Sequence, residues 1–233
     1  QRAILLPLIC CFLIYLEPDY GTTLTILGIF FIQIVFSDIK LRYPAFILSI
    51  SIFPLYLFAT ASDYRRERIE TFLTGKCQDG VDLLGDCFQL NQSWIAISSG
   101  GLTGLGPGTS RARWGMLPNA YTDFIVSITG EEYGFIGILV LTIIFLILIV
   151  SFYGMALTTN DNFKKLLLAG IATWVGIQTI LNLGGAVGLL PITGIVLPFI
   201  SYGGTAMVSI FIGLSLAHNE KLRNQLNNQT KLR

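Results

Sequence analysis

Tyr133-Gly-Phe-Ile-Gly-Ile-Leu-Val-Leu-Thr-Ile-Ile-Phe-Leu-Ile-Leu-Ile-Val-Ser-Phe-Tyr153 carries no formal charge and supplies the roughly 20 apolar residues that a membrane-crossing helix needs. Two further runs meet the same requirement, Tyr43 to Ala61 and Leu166 to Val187, and a fourth, Gly194 to Ala217, is also uncharged. Ala3 to Leu16 and Gly21 to Ser37 are shorter. Glu17-Pro-Asp-Tyr20 between them would bury two carboxylates at mid-membrane, so the pair reads as a helical hairpin with its turn at a surface. Composition agrees with a membrane protein. Of 233 residues, 53% are hydrophobic and only 12% charged, about half the charged share of a soluble domain. The expected fold class is all-α and polytopic, with about six transmembrane helices.

The spans divide the chain into three helices over 1–61 with an outer turn at 17–21, a large loop over 62–132, three helices over 133–217 and a tail over 218–233. Alternating them across a bilayer gathers Arg2, Lys40, Arg42, Lys164, Lys165, Lys221, Arg223, Lys231 and Arg233 on one side, facing only Asp38, Asp161 and Glu220. The positive-inside rule makes that side cytoplasmic. The remaining basic residues, Arg65, Arg66, Arg68, Lys76, Arg111 and Arg113, lie in the long loop, where the rule is weak because long loops translocate regardless of charge. The long loop and the turn near 189–193 are then extracytoplasmic.

Chemistry is expected in that loop, the least hydrocarbon-soluble part of the chain. Its core runs Gly100-Gly-Leu-Thr-Gly-Leu-Gly-Pro-Gly-Thr-Ser-Arg-Ala-Arg-Trp-Gly-Met-Leu-Pro-Asn-Ala-Tyr-Thr-Asp123 and on to Gly130-Glu-Glu-Tyr-Gly134. Gly104, Gly106 and Gly108 read either as a plain flexible loop or as a set of backbone N–H groups approaching an anion. Neither a P-loop nor a dinucleotide-binding turn fits, since no Gly-Lys-Ser/Thr follows and no parallel strand precedes. Asp123 reads as a helix N-cap or as a reactive carboxylate. The arginines of Asp63-Tyr-Arg-Arg-Glu-Arg-Ile-Glu70 read as a solvated face or as a phosphate grip. Gly130, Gly134 and Gly137 suggest close helix packing, and Trp174, Gln178 and Asn182, spaced by four, form a polar stripe that should face protein. The glycines and prolines of 184–204 break helices near the outer surface, tolerable where the backbone lines a cavity. Cys77 and Cys87 share a polar loop, where a disulfide requires an oxidising compartment.

In order and spacing, Ser110-Arg-Ala-Arg-Trp-Gly-Met-Leu-Pro-Asn-Ala-Tyr-Thr-Asp-Phe-Ile125, Gly130-Glu-Glu-Tyr-Gly134, Gly188-Leu-Leu-Pro-Ile-Thr-Gly194 and Leu197-Pro-Phe-Ile-Ser-Tyr-Gly-Gly204 resemble the signatures of the shape, elongation, division and sporulation (SEDS) family. Pro18-Asp-Tyr-Gly-Thr22 and Gln89 to Gly101 fit the same pattern, and the arginine-rich motif is nearer to the division branch than to the elongation branch. Two places depart from it: Tyr121 stands where His is common, and Gly106-Pro-Gly-Thr109 fills the glycine loop differently. The resemblance implies a ten-span peptidoglycan glycosyltransferase, of which this chain looks like the C-terminal six spans. It would polymerise lipid II, a disaccharide-pentapeptide on undecaprenyl diphosphate, outside the bacterial cytoplasmic membrane. It places the essential loop aspartate at Asp123 and implies a class B penicillin-binding transpeptidase and other division proteins as partners, with membrane lipids and no nucleic acid.

An inverting single displacement then needs a base for the acceptor hydroxyl, and Asp123 is the candidate. An ordinary aspartate, with a pKa of about 3.9, is a weak base, so the site should raise it. Positive charge for the departing diphosphate is expected from Arg111, Arg113, Arg65 and Arg68, or from a divalent cation such as magnesium or manganese that Asp123 would hold instead. Ser201 is expected to join them as a substrate contact. Two rival readings are a lipid II flippase and a non-catalytic division scaffold; a transporter expects functional charge near the midplane, whereas the acids here gather at the outer surface.

Overall fold

The computed structural model describes residues 14, 19–37, 72, 74, 75, 77 and 87–218. The expected spans over 3–16 and 43–61, the Arg65/Arg68 cluster and the basic tail therefore lie outside the described residues, apart from Ile14 and His218. Every regular element among the described residues is helical. They are α1 (Tyr20–Phe36), α2 (Phe88–Gly100), a single 3-10 turn (Ala112–Trp114), α3 (Ile125–Thr158), α4 (Asn162–Val187) and α5 (Gly204–His218).

Helix α1 starts where Asp19 stands, because its carboxylate accepts the Thr22 N–H at 3.0 Å and the Thr22 hydroxyl at 2.6 Å. That side chain is a helix cap. Asp161 does the same for α4 by accepting the Phe163 N–H at 3.0 Å, so the three-residue link from α3 turns the chain straight back. Among the described residues, helices α3 and α4 are the two that are long and apolar enough to cross a membrane, by length and composition; α1 and α5 are shorter apolar helices. Their surroundings differ. In the most apolar window of α3 only 17% is buried, against 61% in α4. Helix α4 is thus the central post, and α3 turns most of its isoleucines and leucines outward, as a lipid-facing helix does.

Small residues let the other helices reach that post. Gly28 of α1 faces Ile177, Gly170 faces Gln33 and Ile29 of α1, and Gly213 of α5 faces Ile171. The Tyr153 hydroxyl of α3 pairs with the Thr173 hydroxyl of α4 at 2.9 Å, and the Phe36 and Tyr153 rings stack at 5.8 Å. Between α1, α3 and α4 lies an apolar cleft of about 520 Å³, lined by Phe31, Phe145, Ile149, Gly176 and Leu183 among others.

Two segments read as loop are ordered helix. Phe88–Gly100 forms α2, tied to Cys77 by the Cys77–Cys87 disulfide just before its first residue. Its Ser93 hydroxyl, fully buried, donates to the Ala186 carbonyl of α4 at 2.6 Å. A hydroxyl has one proton, so the 2.6 Å contact to Ser127 of α3 must be donated by Ser127. Trp94 adds an indole N–H to the Val187 carbonyl at 3.1 Å. The second segment is 125–132, which belongs to α3 rather than to the preceding loop.

Helix α3 is broken inside by Gly134, whose φ of 68° and ψ of −165° are open to glycine and strained for other residues. The close packing expected of Gly134 is present, but against the backbone of Leu102 and Gly104 rather than a neighbouring helix, and the same residue carries the kink. The break frees carbonyls on one side and N–H groups on the other, and the glycine-rich loop supplies both partners. Leu105 and Gly106 donate to the Glu131 and Glu132 carbonyls at 2.9 and 3.0 Å; Phe135 and Ile136 donate to the Gly101 and Leu102 carbonyls at 2.9 and 3.1 Å. Gly104 donates to Gly100 at 2.8 Å. The Gly106 N–H is thus consumed in plugging a helix break and the Gly104 N–H in closing the end of α2, so neither is open to an anion. Burial near a membrane leaves little water to satisfy such groups, so the plug is a structural necessity.

Candidate functional site

Asp123 sits half-buried in a turn between the 3-10 turn and α3. The turn is built on Asn119, whose φ of 56° is one that asparagine tolerates better than most residues. Its carbonyl accepts the N–H groups of Thr122 at 3.2 Å and Asp123 at 3.0 Å. Helix α3 starts past Asp123, with Phe124 as a cap residue that makes no side-chain cap bond. The N-cap expected of Asp123 is therefore not its role.

Three other parts of the chain close on the main chain of this turn. Asn182, buried near the end of α4, donates its side-chain amide to the Asp123 carbonyl at 2.9 Å and to the Ile195 carbonyl at 2.7 Å. Ser201 donates to the Thr122 carbonyl at 2.6 Å. The Tyr202 N–H donates to the Tyr121 carbonyl at 2.9 Å. Beside them, Gly194 lies so close that an added Cβ would stand 3.7 Å from Asp123 Oδ2. On the far side of the same segment, Gly21 of α1 faces Thr193 and Ile195. The glycine- and proline-rich stretch between α4 and α5 is thus a wall against which the carboxylate rests.

Phe199 in that stretch has a φ of 64°, a strained value for an aromatic residue, of the order of 1–2 kcal/mol. Its ring meets Phe211 of α5 edge-on at 6.0 Å, and two residues later the chain reaches the Asp123 turn. Ser201 was expected to touch substrate. Its hydroxyl is 5% exposed, donates its only proton to Thr122 and accepts the Leu197 N–H at 2.8 Å, so it positions the turn instead. Ser201→Ala should leave a buried N–H and a buried carbonyl unpaired, at about 1–3 kcal/mol each. The expected outcome is a lowered melting temperature, read by thermal unfolding in detergent.

The arginine-rich loop is held from below. Glu131, 2% exposed, accepts the Ser110 hydroxyl at 2.6 Å and the backbone N–H groups of Arg111 at 3.0 Å and Ala112 at 3.1 Å. A carboxylate with three donors in a buried place is a strong local clamp. It leaves the Arg111 and Arg113 side chains exposed, the Arg113 guanidinium 6.0 Å from the ring centroids of Trp114 and Tyr121. The Tyr121 hydroxyl donates to the Arg113 carbonyl at 3.1 Å, which joins this loop to the Asp123 turn. The adjacent acids Glu131 and Glu132 had been placed only at the edge of a span; nothing in their sequence spacing reveals that one reaches back twenty residues. Glu131→Gln keeps the size but loses acceptor capacity. It should loosen the loop that carries Arg111 and Arg113 and lower the melting temperature, while Glu131→Asp should recover less than half of the loss, as measured by thermal unfolding.

Among the described residues no group of three or more His, Cys, Asp or Glu gathers where it could hold a metal ion.

Residues 2–225 match the family model FTSW_RODA_SPOVE, described as cell cycle protein. A probable peptidoglycan glycosyltransferase FtsW of Geobacter metallireducens is 36% identical over 207 residues, covering 89% of this chain and 54% of that protein. Stage V sporulation protein E of Bacillus subtilis is 33% identical over 207 residues, covering 89% of this chain and 56% of that protein. Among solved structures, a chain reported under structural coordination of polymerization and crosslinking by a peptidoglycan synthase complex superposes with a TM-score of 0.68 at 27% identity, covering 92% of this chain and 59% of that chain. The rod shape determining protein RodA of Thermus thermophilus superposes with a TM-score of 0.58 at 27% identity, covering 92% of this chain and 53% of that chain. The chain spans about half the length of the relatives it matches.

Proposed function

This chain belongs to the FtsW, RodA and SpoVE family of membrane-embedded cell cycle proteins, and from that membership we propose that it carries the reactive half of a peptidoglycan glycosyltransferase that polymerises lipid II during cell division. The observation that carries the reading is the convergence on one turn: Asn182, Ser201 and Tyr202 each bond to its main chain and leave a half-buried carboxylate at Asp123 against an open glycine. The other half of the relatives' length is where further walls of the site would come from.

In the reaction, an acceptor sugar hydroxyl gives its proton to the Asp123 carboxylate as its oxygen attacks the anomeric carbon of the donor sugar from the side opposite the diphosphate. The new glycosidic C–O bond forms as the bond from that carbon to the diphosphate oxygen breaks. Polyprenyl diphosphate leaves with the electron pair, and the anomeric configuration inverts. Arg111 and Arg113 supply positive charge to the leaving group, with Arg65 and Arg68 of the preceding segment as further candidates. A divalent cation would supply the same charge when bound. The described residues offer no protein-built cage for it, so Asp123 would have to hold it in place of accepting the proton. The apolar cleft between α1, α3 and α4 has the chemistry that a polyprenyl chain requires.

Orientation follows from charge. Lys164 and Lys165 begin α4, roughly 25 Å along the helix from Asn182 and hence at the end opposite Asp123. The positive-inside rule then supports a cytoplasmic position for the lysines and an extracytoplasmic one for Asp123, as the lipid-linked substrate needs. A class B penicillin-binding transpeptidase is the proposed partner.

Incubating the purified protein with lipid II in detergent, alone and with that partner, tests the reading. Glycan polymer resolved on a gel is expected. Absence of polymer in both mixtures, together with lipid II movement across proteoliposomes, would replace the polymerase with a flippase.

A further inference from the structure

We infer that Trp114, Tyr121 and Tyr202, with Arg113 between the first two, form a stacking subsite for the pyranose rings of the product glycan strand. The inference rests on the polymerase reading above and names where the polymer lies beside the site. Three aromatic side chains gather around the Asp123 turn, and they are left open to solvent: Trp114 is 77% exposed, Tyr202 83% and Tyr121 47%. Each such ring offers about 150–250 Å² of largely apolar surface, so three of them left open beside one turn make a surface fit to be covered.

The segments that carry them are fixed: the Tyr121 hydroxyl bonds to the Arg113 carbonyl, which holds its ring, the Tyr202 N–H bonds to the Tyr121 carbonyl, and the loop bearing Arg113 and Trp114 is clamped by Glu131. The Arg113 guanidinium lies 6.0 Å from the ring centroids of both Trp114 and Tyr121. A cation over ring faces is pre-ordered there by the ring quadrupoles rather than left to wander. The surface thus alternates flat apolar faces with a held positive charge. A sugar polymer offers the complement: apolar C–H faces of pyranose rings, with carboxylates hanging from the chain at regular intervals.

A bilayer surface also accepts tryptophan and tyrosine. It gives no reason, however, to tie the segments bearing these rings to the turn that holds the reactive carboxylate. A growing strand does, because each addition must find the preceding sugars in register with Asp123.

The test is binding of lipid-free, uncross-linked glycan strands to the purified protein in detergent, by retention of radiolabelled strands, with lipid II monomer measured in parallel. Trp114→Ala should weaken strand binding about tenfold and shorten the polymer made from lipid II, while Trp114→Phe, which keeps a flat ring, should change binding by less than about threefold. Tyr202→Ala should act in the same direction. Trp114 is exposed, so both variants are expected to fold, and thermal unfolding checks it. Equal strand binding by Trp114→Ala and the parent overturns the inference. An effect confined to the lipid II monomer overturns it in favour of the incoming precursor. Loss of vesicle association with unchanged strand binding overturns it in favour of the membrane. The two readings separate cleanly: a parent that polymerises lipid II but binds strands regardless of Trp114 refutes only the subsite, whereas ring-dependent strand binding without polymer refutes only the polymerase.

Discussion

Asp123→Asn is expected to lower lipid II polymerisation by about a thousandfold, the scale of a lost general base, with the protein still folded and inserted. The geometry explains why the fold should survive. Asn119, Asn182, Ser201 and Tyr202 hold the turn through main-chain atoms of residues 121–123, and an asparagine leaves every one of those atoms in place. The substitution therefore changes proton-accepting power and charge at one point while preserving shape. Initial rates with lipid II, a gel of the products and a melting curve make the comparison. Asp123→Glu keeps the carboxylate but lengthens it against the Gly194 backbone, and should retain a small part of the rate. Polymerisation by Asp123→Asn at the parent rate would falsify the assignment of Asp123 to either proton transfer or cation binding.

The second large effect is expected at a residue with no chemistry. Gly134→Ala should destabilise the protein by about 3 kcal/mol or more, from backbone strain at positive φ plus collision in a packed place. The added methyl would meet the Leu102 carbonyl and the Gly104 nitrogen, which are parts of the plug itself. Four hydrogen bonds between the glycine-rich loop and the break then come apart together, and the Glu131 clamp on Ser110, Arg111 and Ala112 follows. Polymerisation should fall with stability. Gly154→Ala, on the same helix, is the control. It has open space around its Cα and ordinary helical geometry, so alanine there should be neutral or stabilise by up to about 1 kcal/mol. Equal melting temperatures for Gly134→Ala and the parent would show that the break carries no structural load.

Helix existence in the chain was legible because a bilayer permits few solutions. A long uncharged run must satisfy its backbone internally, and Tyr133 to Tyr153 and Leu166 to Val187 lie within α3 and α4 as that constraint demands. Helix α2 was missed because Phe88–Gly100 is only mildly apolar; it is helical for its contacts with α3 and α4, and those contacts lie 34 and 93 residues away. Of the polar stripe of α4, Asn182 is buried against protein as expected, but the spacing gave no hint that it reaches Asp123, 59 residues distant.

Charge and hydropathy alone pointed to a membrane protein, and the order and spacing of the motifs, through the family they resemble, singled out Asp123 as the carboxylate to test; these are properties of the chain and survive unfolding. Only the tertiary structure decided what the glycines, Glu131, Ser201 and Asn182 are for. A hydrogen bond is directional and short, and which donor meets which acceptor depends on helices that come together only in the folded state.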